Sequence, residues 1–280
     1  MIKIKICGIK REEDVKIINK YLPDYAGFVF AESKRRINFD NAFNLCRGLK
    51  KSIKRVGVFV NEAVDIIVQA AGYLRLDVIQ LSGDEDPDYV ESLYERIKKS
   101  GAREIEHTGK NGMFTNKTIN EIIFQGKNDN SNNSNNSNNS NNSNNNNNSI
   151  NMNNNSRNIE IWKTIRVADK SSLNSMKYYR VDKYLLDSYI KGIYGGSGSA
   201  FNWKLIKREL LVRNNRKNII IAGGLNAGNV KEAIKILDPY GVDVSSGVET
   251  GGVKDEEKIR DFINCVRGIA CADYAMEKVK

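Results

Sequence analysis

The apolar positions of this chain switch between two periods along its length. From Met1 they alternate: Ile2, Ile4 and Ile6 share one face of an extended segment, and Lys3, Lys5 and Cys7 share the other. Gly8 allows a sharp turn, and Arg11–Tyr21 then follows helical spacing with Val15, Ile17 and Ile18 on its apolar face. The same unit recurs as strand Tyr25–Phe30 with helix Phe39–Leu49, and as strand Arg55–Val60, capped by Asn61, with a helix to Ala71. A fourth copy is Asp77–Leu81 with Pro87–Lys99, where a first-turn proline loses no needed donor. After an interruption come Ile159–Val167 with Lys170–Tyr178, and Lys183–Asp187 with Phe201–Val212. The last two are Asn218–Ala222 with a helix capped by Asn226, and Gly241–Ser245 with Asp255–Gly268. Eight strand–helix units in strict alternation predict an α/β fold, a parallel sheet closed into a (β/α)8 TIM barrel.

The interruption is compositional. An Asn/Ser-rich tract depresses the apolar fraction to 40%, and without it and its polar flanks about 230 residues remain, close to one barrel. The expected organisation is a single barrel over residues 1–270, broken by a low-complexity insertion at 109–158 and followed by a tail at 271–280. The insertion joins helix four to strand five, on the amino-terminal face of the barrel. It is expected to be disordered and catalytically silent, since active sites form on the opposite face and long surface insertions add little closure entropy.

Charge adds one constraint. Lys and Arg outnumber Asp and Glu by 44 to 34, yet no block of five or six like charges occurs. The rival of another class is a basic RNA-associated protein using the Asn-rich tract, but it would cluster basic and aromatic residues, so no nucleic-acid partner is expected, and the excess suits an anionic small molecule. Cys7, Cys46, Cys265 and Cys271 show no metal spacing, and His107 is the single histidine, which argues against a zinc site or a His-based triad. No signal segment opens the chain and no apolar run approaches 18 residues. A reduced, soluble, cytoplasmic protein is expected, with no membrane partner.

Candidate chemistry falls just after the strands. Gly195–Gly198, Gly223-Gly224 and Ser246-Gly247 are small-residue turns, and those after strands seven and eight lie where barrels commonly hold a phosphate on backbone N–H groups. A tight turn explains any one of them equally well. Cys7 and Asp187 close strands one and six, a thiol and a carboxyl suited to paired proton transfer. The alternatives are a buried inert thiol and a capping carboxylate. Arg35 and Arg36 are either a clamp for a second anionic group or solvated loop charges.

Read together, these residues carry a resemblance. Lys5-Ile-Cys-Gly-Ile9, Gly27-Phe-Val-Phe30, Ser33-Lys-Arg35, Val56–Asn61 and Gln80-Leu81 are similar to phosphoribosylanthranilate isomerase, as are Leu186-Asp187, Gly195–Gly198, Ala222–Asn226 and Asp243–Glu249. The resemblance implies the third step of tryptophan synthesis, an Amadori rearrangement of N-(5-phosphoribosyl)anthranilate to 1-(2-carboxyphenylamino)-1-deoxyribulose 5-phosphate without cofactor or metal. It implies Asp187 as general acid at the furanose ring oxygen and Cys7 as general base at C2. Arg35 would face the anthranilate carboxylate, with Gln80, Gly196 and Ser197 as further substrate contacts. Gly223, Gly224, Ser246 and Gly247 would hold the phosphate of a phosphosugar substrate, in a monomer or homodimer. Other phosphosugar barrels are the nearest rivals: an indole-glycerol-phosphate synthase, or a histidine-pathway isomerase, which pairs aspartates where this chain has Cys7 and Val167.

The chain departs from the family pattern at Ser82 in Gln80–Gly83, at Ser199 and Asn202 after the Gly-rich loop, and at Gly251-Gly252 in place of a proline. One expectation goes beyond the resemblance. A free thiol titrates near 8.5, and Lys5 lies about 6.6 Å from Cys7 along the same strand face, so its positive charge is expected to favour the thiolate. The competing reading is that Lys5 pairs with an inward acid such as Asp243.

Overall fold

In a computed structural model, residues 1–101, 158–188, 203–212 and 218–268 are described. Eight parallel strands close a barrel in chain order: β1 (Lys3–Cys7), β2 (Tyr25–Val29), β3 (Lys54–Phe59), β4 (Val78–Leu81), β5 (Glu160–Val167), β6 (Lys183–Ser188), β7 (Ile219–Ile221) and β8 (Gly241–Val244), with β8 pairing back to β1. The outer helices are α1 (Glu12–Tyr21), α2 (Phe39–Gly48), α3 (Val64–Tyr73), α4 (Pro87–Gly101), α5 (Trp203–Val212), α6 (Val230–Leu237) and α7 (Glu256–Arg267). The predicted TIM barrel is therefore the fold. The boundaries expected for the insertion and the tail fall outside the described residues, apart from Asn158.

Strand parity divides the core in two. Ile4, Ile6, Phe28, Ile79, Ile161, Leu186 and Val242 face outward and pack under the helices. Cys7, Tyr25, Val56, Val58, Val78, Trp162, Leu185, Ile220 and Ala222 fill the interior. The register agrees all the way round, from Cys7 opposite Gly27 to Gly27 opposite Val56, and on to Lys5 opposite Asp243. Tyr25, at the start of β2, meets Trp162 edge-on at 4.9 Å between ring centroids. The barrel is thus a packed core with a polar upper end.

A pattern at the amino-terminal ends was not anticipated from sequence. The aspartates just before β2, β4 and β6 each accept the first free N–H of the preceding strand. Asp24 takes Ile4 N at 3.0 Å, Asp77 takes Arg55 N at 2.8 Å and Asp182 takes Ile161 N at 2.8 Å. Each carboxylate thereby fastens an odd strand to the next even one.

One local expectation is sharpened and one changes. The helix expected over Lys170–Tyr178 is present and is a 3-10 helix. Its apolar residues Leu173 and Met176 are three apart, so they stack on one buried edge of a three-residue turn, while serines and asparagine favour α-helix poorly. The helix expected to be capped at Asn226 begins at Val230 with Asn229 as N-cap, because the Asn226 side chain instead holds a turn through Gly228 N. Cys7 and Cys46 are free thiols, whereas Cys265 is disulfide-bonded, which departs from the expectation of a fully reduced chain. No helix among the described residues is long and apolar enough to cross a membrane.

Substituting Asp77→Ala should leave the Arg55 N–H without its acceptor and lower stability by about 1–3 kcal/mol. Thermal denaturation should show a Tm several degrees lower; a Tm equal to wild type would contradict the fastening role.

Candidate active site

The carboxyl-terminal ends of the strands bring the chemistry together. Lys5 and Cys7 point inward from β1, as alternation predicted, and both are buried. The Lys5 ammonium donates to Asp243 Oδ1 at 3.0 Å, and its charge also acts on the Cys7 thiol. Room for that thiol comes from Gly27 on β2, where a Cβ would sit 2.9 Å from Cys7 Sγ. Gly8, at φ +85°, lets the stem of Arg35 cross close above it, with a Cβ there only 2.6 Å from Arg35 Cδ. The small residues of Lys5–Ile9 and Gly27–Phe30 thus make space for reactive or charged neighbours.

Burial raises the Cys7 thiol above its ordinary value, and the Lys5 charge only partly opposes it. The expectation that Lys5 favours the thiolate therefore holds in sign, but burial outweighs it. Lys5 is itself raised: burial opposes its charge, and the Asp243 carboxylate and Cys7 prevail. The pairing with Asp243 is present as well, so the two readings of Lys5 describe one network.

Asp187 stands at the end of β6, partly exposed at the mouth. Burial pushes its carboxyl up to about 6, against the Ser188 N–H that it accepts at 2.8 Å, while Asp243 raises it further and Lys5 lowers it. Gly223, at φ +81°, presses on this acid, since a Cβ there would lie 2.7 Å from Asp187 Oδ1. Gly247 likewise abuts the preceding loop, with a Cβ position 1.8 Å from Leu225 O. The turn Gly223-Gly224 after β7 and the turn Ser246-Gly247 after β8 therefore interlock beside the acid.

Gln80 points inward from β4 and is buried. Its Nε2 donates to Ser82 Oγ at 3.0 Å, and Ser82 Oγ lies 2.8 Å from Thr164 Oγ1. Gln80 Oε1 has no hydrogen-bond partner among the described residues. An unsatisfied buried acceptor at the mouth is a ready contact for a donor on a bound molecule.

Arg35 is not an open clamp. Its Nε and Nη2 each lie 2.8 Å from the Glu249 carboxylate. Burial would raise that acid, but Arg35 and Lys254 hold it down to about 2. Arg36 pairs with Glu32 on the surface, as a solvated loop charge. Gly196 and Ser197 lie outside the described residues. Sequence reading passed over Thr164, which is visible only once β4 and β5 are in register, and Lys254, which carries no local signal. Among the described residues no group of three His, Cys, Asp or Glu side chains is arranged to hold a metal ion.

A family model described as N-(5'phosphoribosyl)anthranilate (PRA) isomerase matches residues 4–125 and 145–265. The N-(5'-phosphoribosyl)anthranilate isomerase of Thermoanaerobacter pseudethanolicus is 40% identical over 270 residues, 96% of this chain and all of the relative. That of Acetivibrio thermocellus is 40% identical over 264 residues, covering 94% and 95% of the two chains. Among solved structures, phosphoribosyl anthranilate isomerase from Thermotoga maritima is 27% identical with a TM-score of 0.66, over 96% of this chain and all of that one. A phosphoribosyl anthranilate isomerase in complex with reduced 1-(o-carboxyphenylamino)-1-deoxyribulose 5-phosphate superposes with a TM-score of 0.65 at 28% identity, with the same coverage. With its barrel and the order of its strand-end motifs, this chain belongs to the N-(5'-phosphoribosyl)anthranilate isomerase family.

Proposed function

We propose that this chain converts N-(5'-phosphoribosyl)anthranilate to 1-(2-carboxyphenylamino)-1-deoxyribulose 5-phosphate with Asp187 as acid and Cys7 as base. The observation that carries the assignment is the shared interior end of the barrel, where a thiol and a raised carboxyl face one site and both feel one buried ammonium. Asp187 delivers its proton to the ring oxygen, the C1–O bond breaks, and a protonated Schiff base forms between C1 and the anthranilate nitrogen. The Cys7 thiolate takes the proton from C2, leaving an enolamine. That species becomes the ketone by net movement of the O2 proton to C1.

The interlocked turns at Gly223, Gly224, Ser246 and Gly247 hold the phosphate through backbone N–H groups, beside the acid that opens the ring. Arg35 meets the anthranilate carboxylate, and Gln80 offers its unpaired oxygen to a substrate donor. Gly196 and Ser197 belong to the loop proposed to close over the substrate. Residues 109–158 and the tail 271–280 are proposed to be dispensable appendages of one barrel.

With the carboxyl near 6 and the thiol above its ordinary value, the resting pair at neutral pH is carboxylate and thiol. The reacting pair, carboxylic acid and thiolate, holds the same number of protons, so its share is constant between the two values. The profile of kcat/KM should be a bell with an acid limb near 6 and an alkaline limb above the ordinary thiol range. Lys5→Met should move both limbs upward, the alkaline one further, because Lys5 lowers both groups and bears harder on Cys7. Limbs that stay in place would remove Lys5 from the electrostatics of catalysis.

Asp187→Asn should abolish turnover and raise the Tm. A carboxyl whose folded value is above its unfolded one opposes folding once pH passes the folded value, here about 6, and is neutral below the unfolded value of 3.8. The gain at pH 7.5 is at most about 3 kcal/mol, at about 1.4 kcal/mol per pKa unit. It should be smaller in practice, since the carboxyl is partly open to solvent. Calorimetry at pH 7.5 and pH 4 tests this, and an equal gain at both would contradict the cause given. Deleting residues 128–157 should leave kcat/KM within about twofold of wild type, because α4 ends and β5 begins on the face opposite the site; a tenfold loss would refute dispensability.

A further inference from the structure

The strand pair after β8 carries two residues, Glu249 and Lys254, that the steps above do not use. β9 (Glu249–Thr250) and β10 (Val253–Lys254) form a short antiparallel hairpin whose register sets Lys254 opposite Glu249. The turn between them is Gly251-Gly252, at φ +59° and +78°. Two successive left-handed residues make the hairpin turn that glycine accommodates without strain. The two-residue turn at Gly251-Gly252 sets the register that places Lys254 across from Glu249.

Glu249 Oε1 accepts from Lys254 Nζ at 2.7 Å and from Arg35 Nε at 2.8 Å, while Oε2 accepts from Arg35 Nη2 at 2.8 Å. Lys254 Nζ is tied again to Ser245 O at 3.0 Å, and Ser245 Oγ donates to Cys7 O at 3.0 Å. The side chains of Lys254, Glu249 and Arg35 are only 1%, 7% and 20% exposed. Two cations share one carboxylate, so the trio keeps a net positive charge in a place shielded from water. Its geometry also settles which part of Arg35 is left over. The Nε–Nη2 edge is engaged by Glu249, and Nη1 makes no hydrogen bond among the described residues. A guanidinium is a rigid fork, so holding one edge sets the direction of the other.

We propose that Glu249, braced by Lys254 across the hairpin, is a positioning residue that aims the free edge of Arg35 at the substrate's ring carboxylate and makes this end of the site selective for a ligand bearing one. The inference rests on the reading of Arg35 as the carboxylate contact given above. Without Glu249, Arg35 keeps its charge but loses its direction. Charge alone draws any anion, whereas a directed fork distinguishes a planar carboxylate from none.

The test measures two ligands on the full chain: reduced 1-(o-carboxyphenylamino)-1-deoxyribulose 5-phosphate, which has the ring carboxylate, and ribulose 5-phosphate, which lacks it. In Glu249→Gln the first should bind about tenfold or more weakly, while inhibition by the second stays within about twofold. KM for the substrate should rise by more than kcat falls. Glu249→Asp keeps the charge balance, so it preserves the fold if the glutamine variant does not, and its shorter reach should give the same selective loss. Equal weakening of both ligands, or of neither, in the Glu249 variants overturns the proposal. Arg35→Met separates the two levels. If it loses only the carboxylate-bearing ligand while the Glu249 variants behave as wild type, the positioning role alone falls. If Arg35→Met binds both ligands as wild type, the carboxylate contact falls and the inference with it.

Discussion

One buried ammonium organises the upper end of this barrel. Lys5 is nearly free of solvent contact, and a charge in that position persists only with a close counter-charge. Asp243, 3.0 Å away, supplies it. The thiol and the carboxyl proposed to react are then arranged around the pair, since Cys7 lies on the same strand face and Asp187 feels both partners. An apolar filling at Lys5 and Asp243 would satisfy packing as well or better, but would leave a thiol and a carboxyl in a low-dielectric mouth with only burial to set their values. The ion pair turns a structural plug into a graded field.

The glycines serve the same end from outside the strands. Gly8 and Gly27 clear space for Arg35 and Cys7, and Gly223 and Gly247 let two loops close on the acid and on each other. Side-chain volume is withheld wherever a functional group must come near backbone. The proposed site is therefore built as much by absent Cβ atoms as by its polar residues.

What sequence could and could not convey follows from what each signal depends on. Period-two alternation reports parity, so the division between Ile4 and Ile6 on one side and Lys5 and Cys7 on the other was readable from ten residues. Burial is a property of the closed barrel. For that reason the sign of the Lys5 effect on Cys7 was accessible and the net direction for the thiol was not. Over the nine residues Lys170–Tyr178, periods of 3.0 and 3.6 are hard to tell apart, so the sequence showed a helix but not its type. Arg35 stood out in sequence, but its pairing with Glu249, which Lys254 shares, depends on the hairpin turn at Gly251 and Gly252 and lay beyond pattern reading. The fastening aspartates at 24, 77 and 182 precede even strands in a regular series that was present in the sequence and passed unremarked.

That series ends early. β1–β2, β3–β4 and β5–β6 each have an aspartate at the join, whereas β8 is preceded by Tyr240. β7 is three residues long and shares only two registered pairs with β8. The seam between the last two strands is thus the least fastened line described in the wall, and it runs up to the turns proposed to grip the phosphate. A short join with few paired residues is where strands open most easily, and a dianion seated across its top would act as a removable staple. With the phosphate where it is proposed to sit, the substrate would bridge this join from both sides and tie ligand binding to the least paired line of the wall.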